Sequence, residues 1–262
     1  DIISTTNTLQ RLTNNNISLY NIIPLLHKIN GIITDHRFDQ LMSSDRELLI
    51  ATKSLQTGQS IYFSNKERSG SRETVIKLNS LATLREVMIA SFTQPVFMPP
   101  VDVETDSATS HQLVDGGGAL YTPVKVAIEA GATDIYVIML TPEKPEELSI
   151  QFKNLIDVLE RTMDWSTLDL AINDIAVPRL YNQSLQYLEA IKNKMKEAGI
   201  PPDTIAQYFD VPEAAPFAGK KIINMHIIRP DMPTGVTMGG LEFNPRNMKL
   251  MVGEGERKAA QM

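Results

Sequence analysis

Residues 111–140 read HQLVDGGGALYTPVKVAIEAGATDIYVIML. A short apolar segment in this stretch ends at Asp115, and a run of three glycines follows it. Signals for the start and end of a helix come next, and an apolar run over residues 135–140 closes the stretch. This order predicts a strand, a glycine turn, a helix and a second strand. Such a βαβ unit has a right-handed crossover, which would lay the second strand parallel to the first.

The helix of this unit is predicted between Thr122 and Gly131. Thr122 is suited to the N-cap position, and Pro123 is favoured at the first helical position. Gly131 is suited to the position just after a helix, because glycine adopts a left-handed backbone without strain. The return strand is apolar throughout, which is typical of a strand whose sheet is covered on both faces.

Asp115 is a lone carboxylate at the C-terminal tip of the first predicted strand. Ligands of open α/β sheets bind at this edge, so we expect a general base or a ligand-binding carboxylate here. The glycines after it lack side chains, which would let a substrate or another loop approach closely. The alternative is a simple turn residue, since Asp-Gly is a favoured hairpin pair. A turn that leads into a helix is, however, the wrong context for a hairpin.

The glycine run also raises the alternative of a phosphate cradle, as in a nucleotide-binding α/β protein. Its spacing matches neither G-x-G-x-x-G nor G-x-x-x-x-G-K-[ST], so this signal is weak. His111 lies about 13 Å from Asp115 along the same strand, too far for a hydrogen bond, so no Ser-His-Asp triad is predicted. The histidines lack metal-binding spacing and there is no cysteine, so we expect neither a metal site nor a cofactor. We expect each of the following to be a surface or hydrogen-bonded core residue: His27, His36, His111 and His226.

Composition narrows the classes of function. The chain has 262 residues and a formal net charge of −6, so the basic stripe of a nucleic-acid-binding protein is not expected. The absence of cysteine excludes a disulfide framework and a cysteine nucleophile. No apolar run approaches the ~20 residues of a membrane span, and residues 1–10 do not resemble a signal peptide. These features predict a cytoplasmic or membrane-peripheral location.

The remaining patterns predict a hairpin, several helices and one further strand. The hairpin pairs residues 47–53 with residues 60–64, and Ser80 is a suitable N-cap for a helix over residues 81–91. The later elements are predicted as helices at 149–163 and 167–198, with a kink at Pro178, a strand at 221–230 and a closing helix at 245–260. Without repeats or a separating linker, residues 1–262 are predicted to form a single α/β domain.

Three segments in this order resemble the distal part of a patatin-like phospholipase: ELLIATKSLQTGQSIYFSN at 47–65, IASFTQPVFMPPV at 89–101, and the stretch from Leu113 to Leu140. In that family an A-S-x-x-x-P-x-x-x-P-P segment precedes a D-G-[GA] motif, which an N/T-P-V helix and an apolar strand follow. The segments ISLYNIIPLLHKI and LEFNPRNMKLMVGEGERKA are similar to its flanking and C-terminal parts. The resemblance implies a three-layer α/β/α fold with a central, mostly parallel sheet that is incomplete at its N-terminal side.

Patatin-like proteins are lipid acyl hydrolases that use a Ser–Asp dyad. The resemblance implies that Asp115 is the base of the dyad, and that Gly116 and Gly117 are the small residues of the D-G-[GA] motif. The serine of G-x-S-x-G and the glycine-rich oxyanion loop match nothing in this chain, so they are expected in a preceding segment. The implied partners are therefore that segment, a lipid ester substrate and a transient membrane surface, and no nucleic acid.

Three hypotheses of function follow from the sequence. The first is a lipid acyl hydrolase, a phospholipase or esterase, to which this chain contributes the aspartate of the dyad. The alternative is a non-catalytic α/β protein that binds lipid or protein through the same cleft and has no nucleophile. A nucleotide-binding protein is the third hypothesis.

Overall fold

The structure is a computed structural model that describes residues 17–68, 73–106, 109–118, 122–144, 147–211, 221–231 and 244–261. Helices and strands are interspersed along the chain, which confirms the α/β class. The chain forms two compact units. The first contains residues 1–121, 148–170 and 234–252, and the second contains residues 122–147, 171–233 and 253–262.

The described elements are numbered in chain order. The helices are α1 Ile23–Ile32, α2 Asp35–Ser43, α3 Leu81–Ala90, α4 Val124–Glu129, α5 Leu155–Glu197, α6 Pro202–Phe209 and α7 Pro245–Ala259, with a 3₁₀ turn at Gly116–Gly118. The strands are β1 Leu49–Ser54, β2 Ser60–Ser64, β3 Thr74–Lys77, β4 Val101–Asp106, β5 Thr109–Asp115, β6 Asp134–Ile138 and β7 Asn224–Ile228.

The first unit contains a five-stranded sheet in the order β3-β2-β1-β5-β4. β1 and β2 form the predicted hairpin, in whose turn Gly58 has a left-handed φ of 68°. Only β2 and β3 pair in parallel, while β1 pairs with β5, and β5 with β4, in antiparallel fashion. The sheet is therefore mixed, and the predicted mostly parallel central sheet is not shown.

Helix α3 covers one face of this sheet. It begins as predicted, because the Ser80 hydroxyl accepts the backbone N–H of Thr83 at 3.1 Å and satisfies one of the free donors of the first turn. Its buried side chains pack against strand residues in one continuous core, whose members are Ile50, Ile61, Phe63, Leu78, Leu84, Val87, Ala90, Val103 and Leu113. This core supports the strand that ends at Asp115.

The second unit contains a two-stranded parallel sheet, β6 with β7, in which Tyr136 is paired with His226. The predicted crossover from β5 to a parallel β6 is therefore wrong, because β6 pairs with β7 instead. Both edges of β5 are already taken by β1 and β4. Local signals for strand, turn and helix cannot show which parallel partner a strand will find.

The ends of α4 agree only in part with prediction. Gly131 follows the helix with a left-handed φ of 90°, as expected. Thr122 is not its N-cap, since the helix begins at Val124 with Pro123 in the capping position and no side-chain cap. The Thr122 N–H instead donates to Asp174 Oδ2 at 2.8 Å, so a tertiary contact replaces the predicted local one.

One continuous helix, α5, replaces the two helices predicted at 149–163 and 167–198, and Pro178 lies inside it. A proline removes one intrahelical hydrogen bond but does not always end a helix. The predicted strand at 221–230 and closing helix at 245–260 are observed as β7 and α7. Among the described helices, none combines the length and the apolar character needed to cross a membrane.

Candidate functional site

Asp115 is the last residue of β5. Its backbone pairs with β1 on one side and hydrogen bonds with Thr93 on the other. Its partner in the register with β1 is Thr52. Pairing with β4 has already ended at Leu113, which lies opposite Val101. The Asp115 N–H therefore donates to the carbonyl oxygen of Thr93, at 3.0 Å. The strand tip therefore has a backbone partner on each side, β1 and Thr93.

The Asp115 side chain is half-buried, and its two oxygens are in different situations. Oδ1 accepts the backbone N–H of Gly117 at 2.8 Å, which closes a local turn around the carboxylate. Among the residues that the structure describes, this N–H is the only hydrogen-bond partner of the carboxylate. One oxygen is thus held in place, and the other has no hydrogen-bond partner among the described residues.

The surroundings of the carboxyl raise the pKa of Asp115 above that of an ordinary aspartate. Burial is the larger cause, because it disfavours the charged form. The N–H of Gly117 partly offsets this effect, since it donates to the charged form. A carboxylate with a raised pKa is a stronger base than one on the surface, which is the property that general-base catalysis requires.

Two of the glycines after Asp115 have different neighbours. A Cβ on Gly116 would lie 2.8 Å from the carbonyl oxygen of Ala51, so only glycine lets this turn rest against β1. A Cβ on Gly117 would lie 3.2 Å from Asp115 Oδ1, so a side chain there would press on the carboxylate. The space that we expected for a partner at Gly116 is filled by β1. Gly117 is the position that keeps the carboxylate uncrowded.

His111 is held by a side chain of β1 and not by Asp115. Its Nδ1 lies 2.9 Å from Ser54 Oγ. Ser54 is only 1% exposed, and its hydroxyl also accepts the N–H of Thr57 at 3.3 Å. This agrees with the expectation of a hydrogen-bonded histidine, and no triad with Asp115 is formed. The partners are 57 residues apart in sequence, so no local pattern could have revealed the pair.

Residues 93–98 support the backbone of Asp115, although the sequence identified them only as part of the patatin-like segment at 89–101. Besides the contact from Thr93 to Asp115, these residues are held on their other side by the chain near residue 20. The N–H groups of Leu19 and Tyr20 donate to the carbonyl oxygens of Val96 and Phe97, at 2.9 and 2.8 Å. No local pattern in residues 93–98 indicates their role as a support for the strand tip, because the role depends on contacts with distant residues.

A second buried carboxyl in the first unit was also missed. Glu160 is 4% exposed, shares a hydrogen bond with Tyr20, and has one oxygen, Oε1, without a partner among the described residues. Burial raises the pKa of the Glu160 carboxyl, and the nearby carboxylates of Asp157 and Asp164 raise it further. Glu160 lies between Leu159 and Met163, which pack against the core, and a glutamate in a helix gives no distinctive sequence signal of burial.

In the part of the chain that the structure describes, no three His, Asp or Glu side chains are grouped as ligands of a metal ion. Comparison of the chain with models of known protein families finds no match, and a search of curated proteins finds no similar sequence.

Proposed function

We propose that Asp115 is the general base of a lipid acyl hydrolase, a phospholipase or esterase that uses a Ser–Asp dyad. The observation that carries this proposal is the half-buried carboxylate with one oxygen tied to Gly117 and the other without a partner among the described residues. The order of the three patatin-like segments supports the same chemistry. The finer fold assignment, a three-layer α/β/α architecture with a mostly parallel central sheet, belongs to this proposal.

The proposed reaction assigns a separate task to each oxygen of Asp115. A serine hydroxyl is a weak nucleophile and needs an adjacent base. As the serine oxygen attacks the ester carbonyl, its proton passes to the free oxygen of Asp115. The Gly117 N–H holds the other oxygen, so the carboxyl group keeps its orientation when it is neutral. The ester bond then breaks, the departing alcohol oxygen takes the proton from Asp115, and the acyl group remains bonded to the serine. Water next attacks this acyl-serine ester and gives a proton to Asp115, and the serine oxygen leaves with that proton as the fatty acid is released.

The nucleophile is proposed to come from a preceding segment. Within the described residues, no serine or threonine hydroxyl and no histidine donates to the Asp115 carboxylate. A preceding segment with G-x-S-x-G would bring the serine, and a glycine-rich loop would bring the N–H donors that stabilise the oxyanion. Ester substrates of this class lie in membranes, so the proposal includes transient contact with a membrane surface.

The test uses the natural full-length protein and p-nitrophenyl esters of fatty acids. Asp115→Asn keeps an oxygen that can accept the Gly117 N–H. An amide group cannot take up the serine proton, however, so turnover should fall by about 10²- to 10⁴-fold. Asp102→Asn, which alters an exposed carboxylate on β4, is the matched control and should leave turnover unchanged. Wild-type turnover in Asp115→Asn would show that the assigned role is wrong.

The lack of a described nucleophile beside Asp115 also favours a second candidate, a non-catalytic protein that binds lipid or protein at this site. It predicts that the full-length protein hydrolyses none of the esters and that Asp115→Asn changes ligand binding instead. The nucleotide-binding hypothesis makes a different prediction, thermal stabilisation by nucleotides. A melting temperature that is the same across a nucleotide panel would exclude that hypothesis.

A further inference from the structure

Val96 has a backbone conformation that its side chain disfavours. Among the described residues it is the only one other than glycine with a positive φ, at 73°. A β-branched side chain in this left-handed region is an outlier, because its Cβ crowds the following backbone. Val96 follows Pro95 in a turn that the N–H of Met98 closes by donating to Gln94 O at 2.9 Å. Glycine is the usual residue after proline in a turn that needs positive φ.

The contacts around Val96 explain how this conformation is maintained. Its own carbonyl oxygen accepts the N–H of Leu19 at 2.9 Å, and the next two side chains, Phe97 and Met98, are buried at 1% and 3% exposure. Three residues earlier, the carbonyl of Thr93 accepts the N–H of Asp115. The turn is therefore fixed at both ends, which is the condition under which a strained residue persists.

The strained backbone at Val96 carries an exposed apolar side chain, three residues after the carbonyl that holds the backbone of the proposed base. Val96 is 51% exposed, in contrast to Phe97 and Met98 beside it. Three peptide units separate it from Thr93, so the two Cα atoms are at most about 11 Å apart. Since the Thr93 carbonyl oxygen lies 3.0 Å from the Asp115 nitrogen, the Val96 Cα is at most about 20 Å from the carboxylate, the span of a long extended acyl chain. A glycine would relax the turn but would present no apolar surface.

We propose that Val96 is a specificity-determining residue that contacts the acyl chain of the ester on which Asp115 acts. This inference rests on the proposed function. Backbone strain of this type is found at functional sites, where it fixes a side chain in a position that an unstrained turn would not give. The branched side chain of Val96 forms part of the surface along which the acyl chain lies, and it favours long chains over acetate.

The first experiment compares two valine truncations in the full-length protein, on p-nitrophenyl esters from acetate to dodecanoate. Val96→Ala should lower kcat/KM about tenfold for the long-chain ester and leave that for acetate nearly unchanged, because apolar contact is lost only where the chain is long. The matched control is Val158→Ala on α5, which truncates a valine of similar exposure, 47% against 51%. It should not change the dependence on chain length.

The second experiment tests whether the backbone conformation of Val96 destabilises the protein. Val96→Gly removes the side chain and permits the positive φ, so its melting temperature should exceed that of wild type by about 2 °C, while its chain-length profile should resemble that of Val96→Ala. A melting temperature at or below that of wild type would remove the basis of the inference.

The two proposals fail in distinguishable ways. If the wild-type protein hydrolyses none of the esters, the proposed function fails and the role of Val96 fails with it. If hydrolysis depends on Asp115 but Val96→Ala and Val158→Ala have the same chain-length profile, only the inference about Val96 is wrong.

Discussion

β5 and β6 each contain a short apolar run, Leu113–Val114 in β5 and residues 135–138 in β6, yet the surroundings of these runs differ. In β5, Leu113 and Val114 point to opposite faces and are 0% and 2% exposed, and both edges of the strand are paired. In β6 the residues on one face are buried, whereas those on the other are exposed, at 63% for Tyr136 and 70% for Ile138. The apolar residues indicate a strand in both cases, but the elements packed around each strand determine how far it is shielded from water.

This difference explains where a functional carboxylate is expected. Asp115 ends a strand that is shielded on both faces, so its side chain is partly removed from water and its pKa is raised. Asp134, which begins the half-exposed β6, has 62% of its side chain exposed and hydrogen bonds with Asn224 across the sheet. We therefore propose base chemistry for the end of β5 and not for the start of β6.

The largest effect on stability is expected where the chain after β5 rests against β1. Gly116→Ala would place a methyl group 2.8 Å from the Ala51 carbonyl oxygen, and we expect it to lower the free energy of unfolding by about 2 kcal/mol. The control is Gly255→Ala in α7, where nothing lies within 4 Å, and which should stabilise the chain by about 0.5–1 kcal/mol. Urea denaturation measures both. Equal effects of the two substitutions would show that the turn does not rest on β1.

The two faces of β6 provide the next comparison. Val137→Ala removes two buried methyl groups and should cost about 1.5 kcal/mol, because Val137 is 5% exposed. Ile138→Ala, at its exposed neighbour, should change the free energy of unfolding by less than about 0.5 kcal/mol. The same urea denaturation applies. If Ile138→Ala proves as destabilising as Val137→Ala, the second face of β6 is covered in solution.

A smaller effect is expected at the buried Glu160. Its raised pKa means that its contribution to stability is complete below the pKa of an unfolded glutamate and is lost as the pH rises through the folded value. Glu160→Gln cannot ionise, so its melting temperature should exceed that of wild type by about 2 °C at pH 8 and by less at pH 4. Thermal denaturation across this pH range checks the sign. A difference that grows towards acid pH would contradict it.

Local sequence patterns predicted many of the helix and strand ends, because these ends depend on interactions between residues that are close in the sequence. Ser80 caps α3, Gly58 turns the first hairpin, and β5 ends at Asp115, each through contacts within a few residues. The pairing of β6 depends instead on β7, about ninety residues away. No period of apolar residues contains that information.

The candidate site could also be predicted from the sequence only in part. Asp115 and its glycines could be found from the order of strand, carboxylate and glycine run. The support from Thr93 and the strained backbone of Val96 could not, since both depend on contacts with distant segments. The hydrogen bond between Ser54 and His111 joins two strands that are neighbours only in the folded sheet.

The most direct test is an NMR titration of the Asp115 carboxyl carbon in the 262-residue chain, with Asp115→Asn to assign its signal. Asp231 is an internal control from the second unit, because its ion pairs with Lys258 and Arg257 hold the pKa of its carboxyl below the usual range. We predict that Asp115 titrates above the ordinary aspartate value of about 3.9, with Asp231 below it. A midpoint for Asp115 at or below 3.9 would contradict its assignment as a shielded base.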